Sequence, residues 1–405
     1  MKKILLIEPS FPIPNKSKNH RNFLPIGLLK IASYLRMKGN IIKLIRGIPK
    51  EKEELINFKP DEIWITSLFS YWAKYVKSTV QFYKNLFPDS KIIVGGIYAS
   101  LFPVKEVKDY TQCDEVYQGV IPEAEIVKPA YDLVDVDYQI LHTTRGCIRK
   151  CSFCGTWKIE PEFIAKKSII DMVTHKKLIF YDNNMLANPF IENILNELIE
   201  LKKRGKILWC ESQSGFDGRI MQQKPYLGKM LKQAGFRYPR IAWDGEYKFY
   251  PEIEKQINIL KNSGFHAKEI YIFVLYNWEI PFEEMEKKRV KCWEWGVQIA
   301  DCRYRPLNQM FDEFNSKKKN QTIKDYYIHT ATGWTDDLVK KFRKNVRMQN
   351  ICVRHGFPFY SKDFERKKYN KEIIKKINKL KTFEEKIKFL KDKKIDFWIP
   401  NENIS

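Results

Sequence analysis

The chain has 405 residues, with 72 Lys/Arg against 49 Asp/Glu for a net charge of +23, and 44% hydrophobic residues. It is long enough for two domains with sizeable cores, and no apolar stretch approaches the roughly 20 residues that cross a bilayer. Its eight cysteines predict metal or redox chemistry rather than disulfides, because the expected compartment is the cytoplasm.

MKKILLIEP turns from two lysines straight into a short apolar run, with no cleavage site after it. A secretory leader is therefore not expected. The basic excess is larger than a lysine-rich genome alone would give, since such genomes enrich glutamate too. It points to a polyanionic partner or to steering of anionic small molecules.

In chain order, ILLIE (4–8) reads as a buried strand, followed by the Pro-rich loop PSFPIPN. PIGLLKIASYLRMKGN (25–40) carries Ile26, Leu29, Ala32 and Leu35 at helical spacing and stops at Gly39. IIKLIRG, EIWITSLF (62–69), KIIVGG (91–96) and EVYQG (115–119) follow as strands, with Tyr71–Phe87 helical. This alternation, with glycine pairs at strand ends, predicts a doubly wound, Rossmann-like domain over residues 1–135 whose ligand crevice lies at the strands' carboxyl ends. Residues 120–137 read as a linker.

From 138 to 310 strand and helix alternate again. Strand ends are predicted at HTT (142–144), IFYDNN (179–184), LWCESQ (208–213), RIAWDG (240–245), IYIFVLYN (270–277) and VQIADCRY (297–304). Helices between them include 189–205 and 225–236. Residues 311–405 read as helical, basic and aromatic. Within them, 361–396 hold 14 Lys/Arg and 7 Asp/Glu, most simply a solvated lysine-rich face.

Directly after the first strand of this second part stands TTRGCIRKCSFCGTW, with Cys147, Cys151 and Cys154 spaced C-x3-C-x2-C. Three thiolates can hold a 4Fe-4S cluster and leave one iron open, where four would close it. A structural zinc site would need four ligands, usually as two nearby pairs, and there is no second C-x2-C pair near the motif. The spacing resembles that of the radical S-adenosylmethionine (SAM) superfamily.

The resemblance implies a partial, six-stranded (β/α) barrel over 138–310, whose strands' carboxyl ends carry the catalytic groups. It also implies a 4Fe-4S cluster on the three cysteines, SAM bound at the open iron, and reductive cleavage of SAM to a 5'-deoxyadenosyl radical. The electron donor would be a flavodoxin or ferredoxin, and the host anaerobic or microaerobic. By the same resemblance Phe153 would lie beside the adenine. Tyr181, Asp182, Asn183 and Asn184 stand where the family often has a Gly-Gly-Glu-like stretch that receives the SAM amino group. Glu211, Ser212 and Gln213 would bond the ribose or methionyl group, and Arg219 the carboxylate. Asp244, Asp301 and Arg303, at later strand ends, would face substrate.

The first domain resembles the cobalamin-binding domain that precedes many radical SAM enzymes, with Thr66, Ser67, Gly95, Gly96 and Gly119 at the corresponding strand ends. Tyr98 replaces that pattern's histidine, and no D-x-H-x-x-G motif is present. Cobalamin and methylation of an unactivated carbon are the implied chemistry. The alternative is a cobalamin-independent mutase, cyclising or dehydrogenating enzyme, with nucleic acid among the substrates it allows besides a small molecule or peptide.

Cys210, Cys292, Cys302 and Cys352 match no auxiliary-cluster spacing and suit core packing, although arginines beside Cys302 and Cys352 favour a thiolate. Only Cys113 precedes the motif, which disfavours a methylthiotransferase. Trp293, Trp295, Tyr304, Trp334 and Phe342 could stack a planar substrate, but core packing is the commoner use of such rings.

Overall fold

The structure, a computed structural model, describes residues 1–13, 24–49, 53–365 and 371–400. It is a mixed α/β chain built on parallel sheets, in two compact units: Met1–Ser214 with Arg305–Asn315 and Ile323–Tyr327, and Gly215–Tyr304 with Ser316–Thr322 and Ile328–Ser405.

The first unit begins with five parallel strands and their helices: β1 (Lys3–Glu8), α1 (Ile26–Met37), β2 (Ile41–Arg46), α2 (Glu53–Phe58), β3 (Glu62–Ser67), α3 (Ala73–Leu86), β4 (Lys91–Gly96), α4 (Ile97–Leu101), α5 (Val104–Thr111) and β5 (Glu115–Val116). Their sheet order is β2-β1-β3-β4-β5. In β1 the apolar run serves both faces, as a covered parallel strand requires. Leu5 and Ile7 pack with Val76, Val80 and Tyr83 of α3 on one face. Ile4 and Leu6 pack with Leu28, Ala32 and Leu35 of α1 on the other. The order reverses between β1 and β3, which makes their carboxyl ends the switch point where such sheets take ligands. The predicted loop after β1 continues past Ile13 outside the described residues.

The expected linker is packed. It holds α6 (Pro122–Glu125) and a 3-10 turn, Ala130 N–H donates to Leu29 O at 3.0 Å, and the Tyr131 hydroxyl bonds the Ile140 N–H and carbonyl at 2.8 and 3.1 Å. Leu29, Ile140, Tyr131, Leu133, Val136 and Ile179 form one apolar cluster. The next elements are β6 (Gln139–Leu141), the short antiparallel pair β7 (Thr144–Arg145) and β8 (Ile164–Ala165) around α7 (Thr156–Ile159), then β9 (Lys177–Phe180), α8 (Ile191–Lys203) and β10 (Trp209–Ser212). β10, β9 and β6 make a three-stranded parallel sheet. α8 buries Ile191, Ile194, Leu195 and Leu198, an i, i+3, i+4, i+7 stripe.

The second unit carries α9 (Gly218–Gln223), α10 (Tyr226–Gln233), β11 (Arg240–Ala242), α11 (Tyr250–Asn262), β12 (Tyr271–Tyr276), α12 (Phe282–Glu294), β13 (Gln298–Arg303), α13 (Asp336–His355), α14 (Lys362–Glu365), α15 (Lys371–Lys379) and α16 (Phe383–Asp392). β11, β12 and β13 form a parallel sheet in that order. Buried Arg289 ties α12 to α13 by bonding the Glu286 carboxylate at 2.9 and 3.0 Å and Gln349 Oε1 at 2.8 Å. α13 starts on the Thr335 cap and ends at left-handed Gly356, as its sequence demands.

The strand–helix alternation over 138–310 is present, but the single six-stranded barrel is not. Among the described residues it takes the form of two three-stranded sheets. The ladder ends after β10 because the chain turns at Gly215, φ +80°, whose side-chain space is filled by Arg240 O at 2.8 Å. Phe216 then makes one isolated parallel bridge to Ile241.

Candidate functional site

The three motif cysteines lie on one excursion that leaves through β7 and returns through β8, closed by the pairs Thr144↔Ala165 and Arg145↔Ile164. Its base is set by Asp182, which is fully buried. One carboxylate oxygen, Oδ1, accepts from Thr143 N–H at 2.8 Å, from Thr144 N–H at 2.6 Å and from both threonine hydroxyls. Asn188 Nδ2 bonds Thr143 O and Lys166 O at 3.2 and 3.0 Å. Glu160 closes the excursion by accepting from Arg145 at 2.5 Å and from Gly146 N–H at 2.7 Å. Gly146 itself sits at φ +71° with a Cβ position 2.1 Å from Glu162 O, so only glycine fits.

Within the excursion Cys147, Cys151 and Cys154 are all half-buried. Arg149 N–H donates to Cys147 Sγ at 3.3 Å, and the Cys154 thiol reaches Thr156 Oγ1 at 3.3 Å, which in turn donates to Asn183 Oδ1 at 3.3 Å. Cys154 N–H bonds Cys151 O at 3.1 Å, and Trp157 Nε1 bonds the same oxygen at 3.0 Å. Among the described residues no three His, Cys, Asp or Glu side chains are gathered as a metal-holding group, so the thiols are held on one short loop without being drawn together as a ligand set. Their chemistry fits an iron–sulfur cluster: three sulfur donors at the surface, one already taking a backbone N–H, as cluster sulfurs do.

Beneath the loop lies a buried charged group. Lys30 of α1 pairs with Glu125 of α6 at 2.6 Å, Arg145 reaches Glu125 at 3.5 Å and Glu160 at 2.5 Å. Burial first, and then Arg145, lower the Lys30 pKa to about 8, although Glu125 opposes them. Burial also lowers Lys166. His142 is wholly enclosed, and burial with three neighbouring cations holds it well below its usual value, so it is neutral; its Nδ1 has no partner.

The other residues predicted around SAM divide between the units. Tyr181, Asp182, Asn183, Asn184, Glu211, Ser212 and Gln213 follow β9 and end β10 in the first unit. Phe153 is half-buried in the cysteine loop. Asp182, predicted as a cofactor group, spends Oδ1 on the loop base. Asn183 touches Thr156 and, at 3.5 Å, Glu160. Glu211 and Ser212 are buried, and Gln213 Nε2 donates to Glu211 Oε1 at 3.1 Å.

Arg219, Asp244, Asp301 and Arg303 belong to the second unit. Arg219 is exposed and paired at 3.3 Å with Asp217, the N-cap of α9. Burial raises Asp244, with Lys288 and Arg219 opposing. Lys288 is fully buried, donates to Trp243 O at 3.2 Å, and is lowered to about 8 by burial. This displaced carboxyl–amine pair is of the sort that sites use, and sequence reading missed Lys288 because a lysine within a helix carries no mark of burial. Arg303 is buried. Asp301 lies in the cavity described below.

At the doubly wound sheet, Ser67 is buried and committed: its hydroxyl donates to Gly95 O at 2.7 Å and accepts Ala99 N–H at 3.1 Å. Gly96 (φ +93°) has its Cβ position 2.3 Å from Ser67 O, so it serves close strand packing. Thr66, Gly95 and Gly119 are half-buried at the strand ends. Tyr98 is fully buried against Phe102 (5.0 Å) and is unplaced for metal ligation. The stronger feature here escaped the sequence reading. At the switch point Phe11, after β1, stacks on Trp72, after β3, at 5.3 Å, and half-exposed Phe69 stacks on Tyr71 at 5.0 Å. Arg305 lies over Tyr71 at 4.7 Å. An FSYW run after a strand was its only local signal.

Cys210, Cys292 and Cys352 are buried, and burial pushes the Cys352 thiol up to about 12. The arginines in its sequence neighbourhood therefore do not make it a thiolate. Cys302 is exposed rather than in the core. Trp334 and Phe342 are core residues packed on Tyr276 at 6.0 and 5.0 Å, whereas Tyr304 packs on Trp278 at 3.7 Å. No helix among the described residues is long and apolar enough to cross a membrane.

No family model matches the chain, and no curated protein matches it. Among solved structures it is similar to a novel cobalamin-binding protein from Desulfitobacterium hafniense DCB-2, at 18% identity and a TM-score of 0.21, over 29% of this chain and 52% of that one. The match spans about half the length of that protein, and a likeness this slight leaves function to be argued from the residues themselves.

Proposed function

We propose that this chain is a radical SAM enzyme. The observation that carries the reading is the C-x3-C-x2-C loop, anchored after a parallel strand by Asp182 and Glu160 with its three thiols half-exposed on one loop. Cys147, Cys151 and Cys154 would hold a 4Fe-4S cluster, which when bound would supply one electron for cleavage of the SAM carbon–sulfur bond. Asp182 fixes where the loop departs from β6, and Glu160 fixes its return while neutralising Arg145. Phe153 offers a ring beside the last cysteine. Asn183, bonded to Thr156, ties the polar end of β9 to the same loop. Buried Lys30 with partly buried Glu125 and Arg145 ties the loop base to α1 and α6, because withdrawing Glu125 would leave the buried Lys30 charge unpaired.

The finer reading is cobalamin-dependent methylation. It is supported by the 2-1-3-4-5 strand order and by a half-exposed aromatic platform at the switch point, where a flat macrocycle can lie. Cobalamin-independent chemistry on the same loop is the alternative, and a reduced flavodoxin or ferredoxin would serve either.

Anaerobic reconstitution tests the main reading. About four irons per chain and SAM-dependent product are expected from the wild type. Cys151→Ala should lose both, and a Cys151→Ala chain that loads and cleaves as well as wild type refutes it. Retention of a corrinoid through gel filtration after incubation with hydroxocobalamin decides between the finer reading and its alternative.

A further inference from the structure

The second unit contains a cavity of about 690 Å3 between the edge strand β13, α13 and the turn that follows it. Ligand cavities run from about 300 to 1,000 Å3. Arg343, Arg347 and Arg354 all line it, spaced four and seven residues apart on α13, which puts three guanidinium groups on one face of a helix. Phe357, Phe359 and Tyr360 supply rings to the same wall. The negative charges are fewer and partly spent. Glu365 is engaged by Arg347 and by the Tyr360 hydroxyl. Burial shifts the Asp301 carboxyl up to about 6.

The walls are tied by hydrogen bonds to the elements around them. The Asn350 side chain caps the open edge of β13, accepting Ile299 N–H at 2.8 Å and donating to Ile299 O at 2.7 Å. Arg354 is steadied by Gln298 Oε1 at 3.2 Å, and Tyr360 exchanges two 2.8 Å backbone bonds with Trp398. One buried polar group has been left without a partner: the Ser361 hydroxyl, on a residue only 3% exposed, in the cavity wall. A buried hydroxyl with no acceptor or donor costs free energy unless something enters to bond it.

We propose that this cavity binds a phosphorylated aromatic molecule of mononucleotide size. The phosphate lies against the α13 guanidinium groups and Ser361 Oγ, and the ring stacks on the Phe357–Tyr360 wall. Guanidinium groups match phosphate oxygens in a planar fork. A ring stacked on aromatic side chains adds attraction of its own, so the whole ligand binds at least tenfold more tightly than its phosphate alone. The site shares no residue with the cysteine loop, and the proposal does not depend on the chemistry assigned to that loop.

Calorimetric titration of the full chain tests it, with AMP and inorganic phosphate as probes. AMP is expected to bind at least tenfold more tightly than phosphate and to stay bound when SAM is added. Arg343→Gln removes a charge, and Ile374→Trp, at a residue of α15 that also lines the cavity, fills the space without changing charge; each should weaken AMP binding at least tenfold. Circular dichroism checks that both variants fold, and the second carries the test if the first does not. No AMP binding below 5 mM (about a thousandfold weaker than typical micromolar ligands), equal affinity for AMP and phosphate, displacement by SAM, or unaltered affinity in a folded variant overturns the proposal.

Discussion

Replacing Asp182 by alanine should loosen the cysteine loop. The carboxylate is fully buried and its Oδ1 serves four donors. The threonine hydroxyls can turn to other acceptors, but the Thr143 and Thr144 amides cannot. Two orphaned buried amides cost about 1–3 kcal/mol each. Against this stands relief of the desolvation that raises the Asp182 pKa, a shift the Thr143 and Thr144 bonds only oppose. The balance is a loss of about 3 kcal/mol, or ~10 °C for a unit of this size. Asp182→Asn keeps an acceptor at Oδ1 and should lose no more than about 1 kcal/mol. Because the folded pKa is raised, the carboxyl contributes stability at low pH that is lost as pH rises through that folded value; the Asn variant removes this decline. Hydrogen exchange read by mass spectrometry is the direct assay. Peptides covering 143–156 should exchange about a hundredfold faster in the Ala variant and less than tenfold faster in Asn. Unchanged exchange in Asp182→Ala, or equal damage from Ala and Asn, would refute the acceptor argument.

Gly146→Ala should leave the fold of the sheets intact, as judged by circular dichroism, yet abolish iron loading, since its Cβ would meet Glu162 O at 2.1 Å. Lys30→Met leaves partly buried Glu125 with Arg145 alone, at 3.5 Å, and should cost about 1–3 kcal/mol in urea unfolding; adding Glu125→Leu should recover part of it. For Asp301, burial lifts the pKa from 3.8 to about 6, with Arg343 opposing, so its stabilising effect is present at low pH and disappears between pH 4 and 6. Asp301→Asn should therefore raise stability at pH 8 by up to about 3 kcal/mol and leave pH 4 unchanged, measured as the shift in urea midpoint.

Local chemistry determined a good deal here. ILLIE is a buried parallel strand because four successive apolar residues, Ile4 to Ile7, cannot share one face of a period-two chain with water. Gly39, Thr335 and Gly356 mark helix ends because only certain residues satisfy or tolerate a terminus. Cys147, Cys151 and Cys154 sit on one loop because their spacing leaves them nowhere else to go. What the fold alone decided are pairings across long stretches of chain. Asp182 meets Thr143 at a separation of 39 residues, and Lys30 meets Glu125 at 95. Neither aspartate nor lysine announces burial, since its cost is met by a partner whose position depends on strand register. Phe11 against Trp72, and the arginines of α13 and Ser361 lining one cavity, have the same origin. The break after β10 also followed from tertiary packing: hydrophobic periodicity foresaw the strands on either side, whereas the turn at Gly215 rests on how closely one backbone approaches Arg240. Periodicity is written in neighbouring residues; complementarity between distant ones exists only once the sheets are formed.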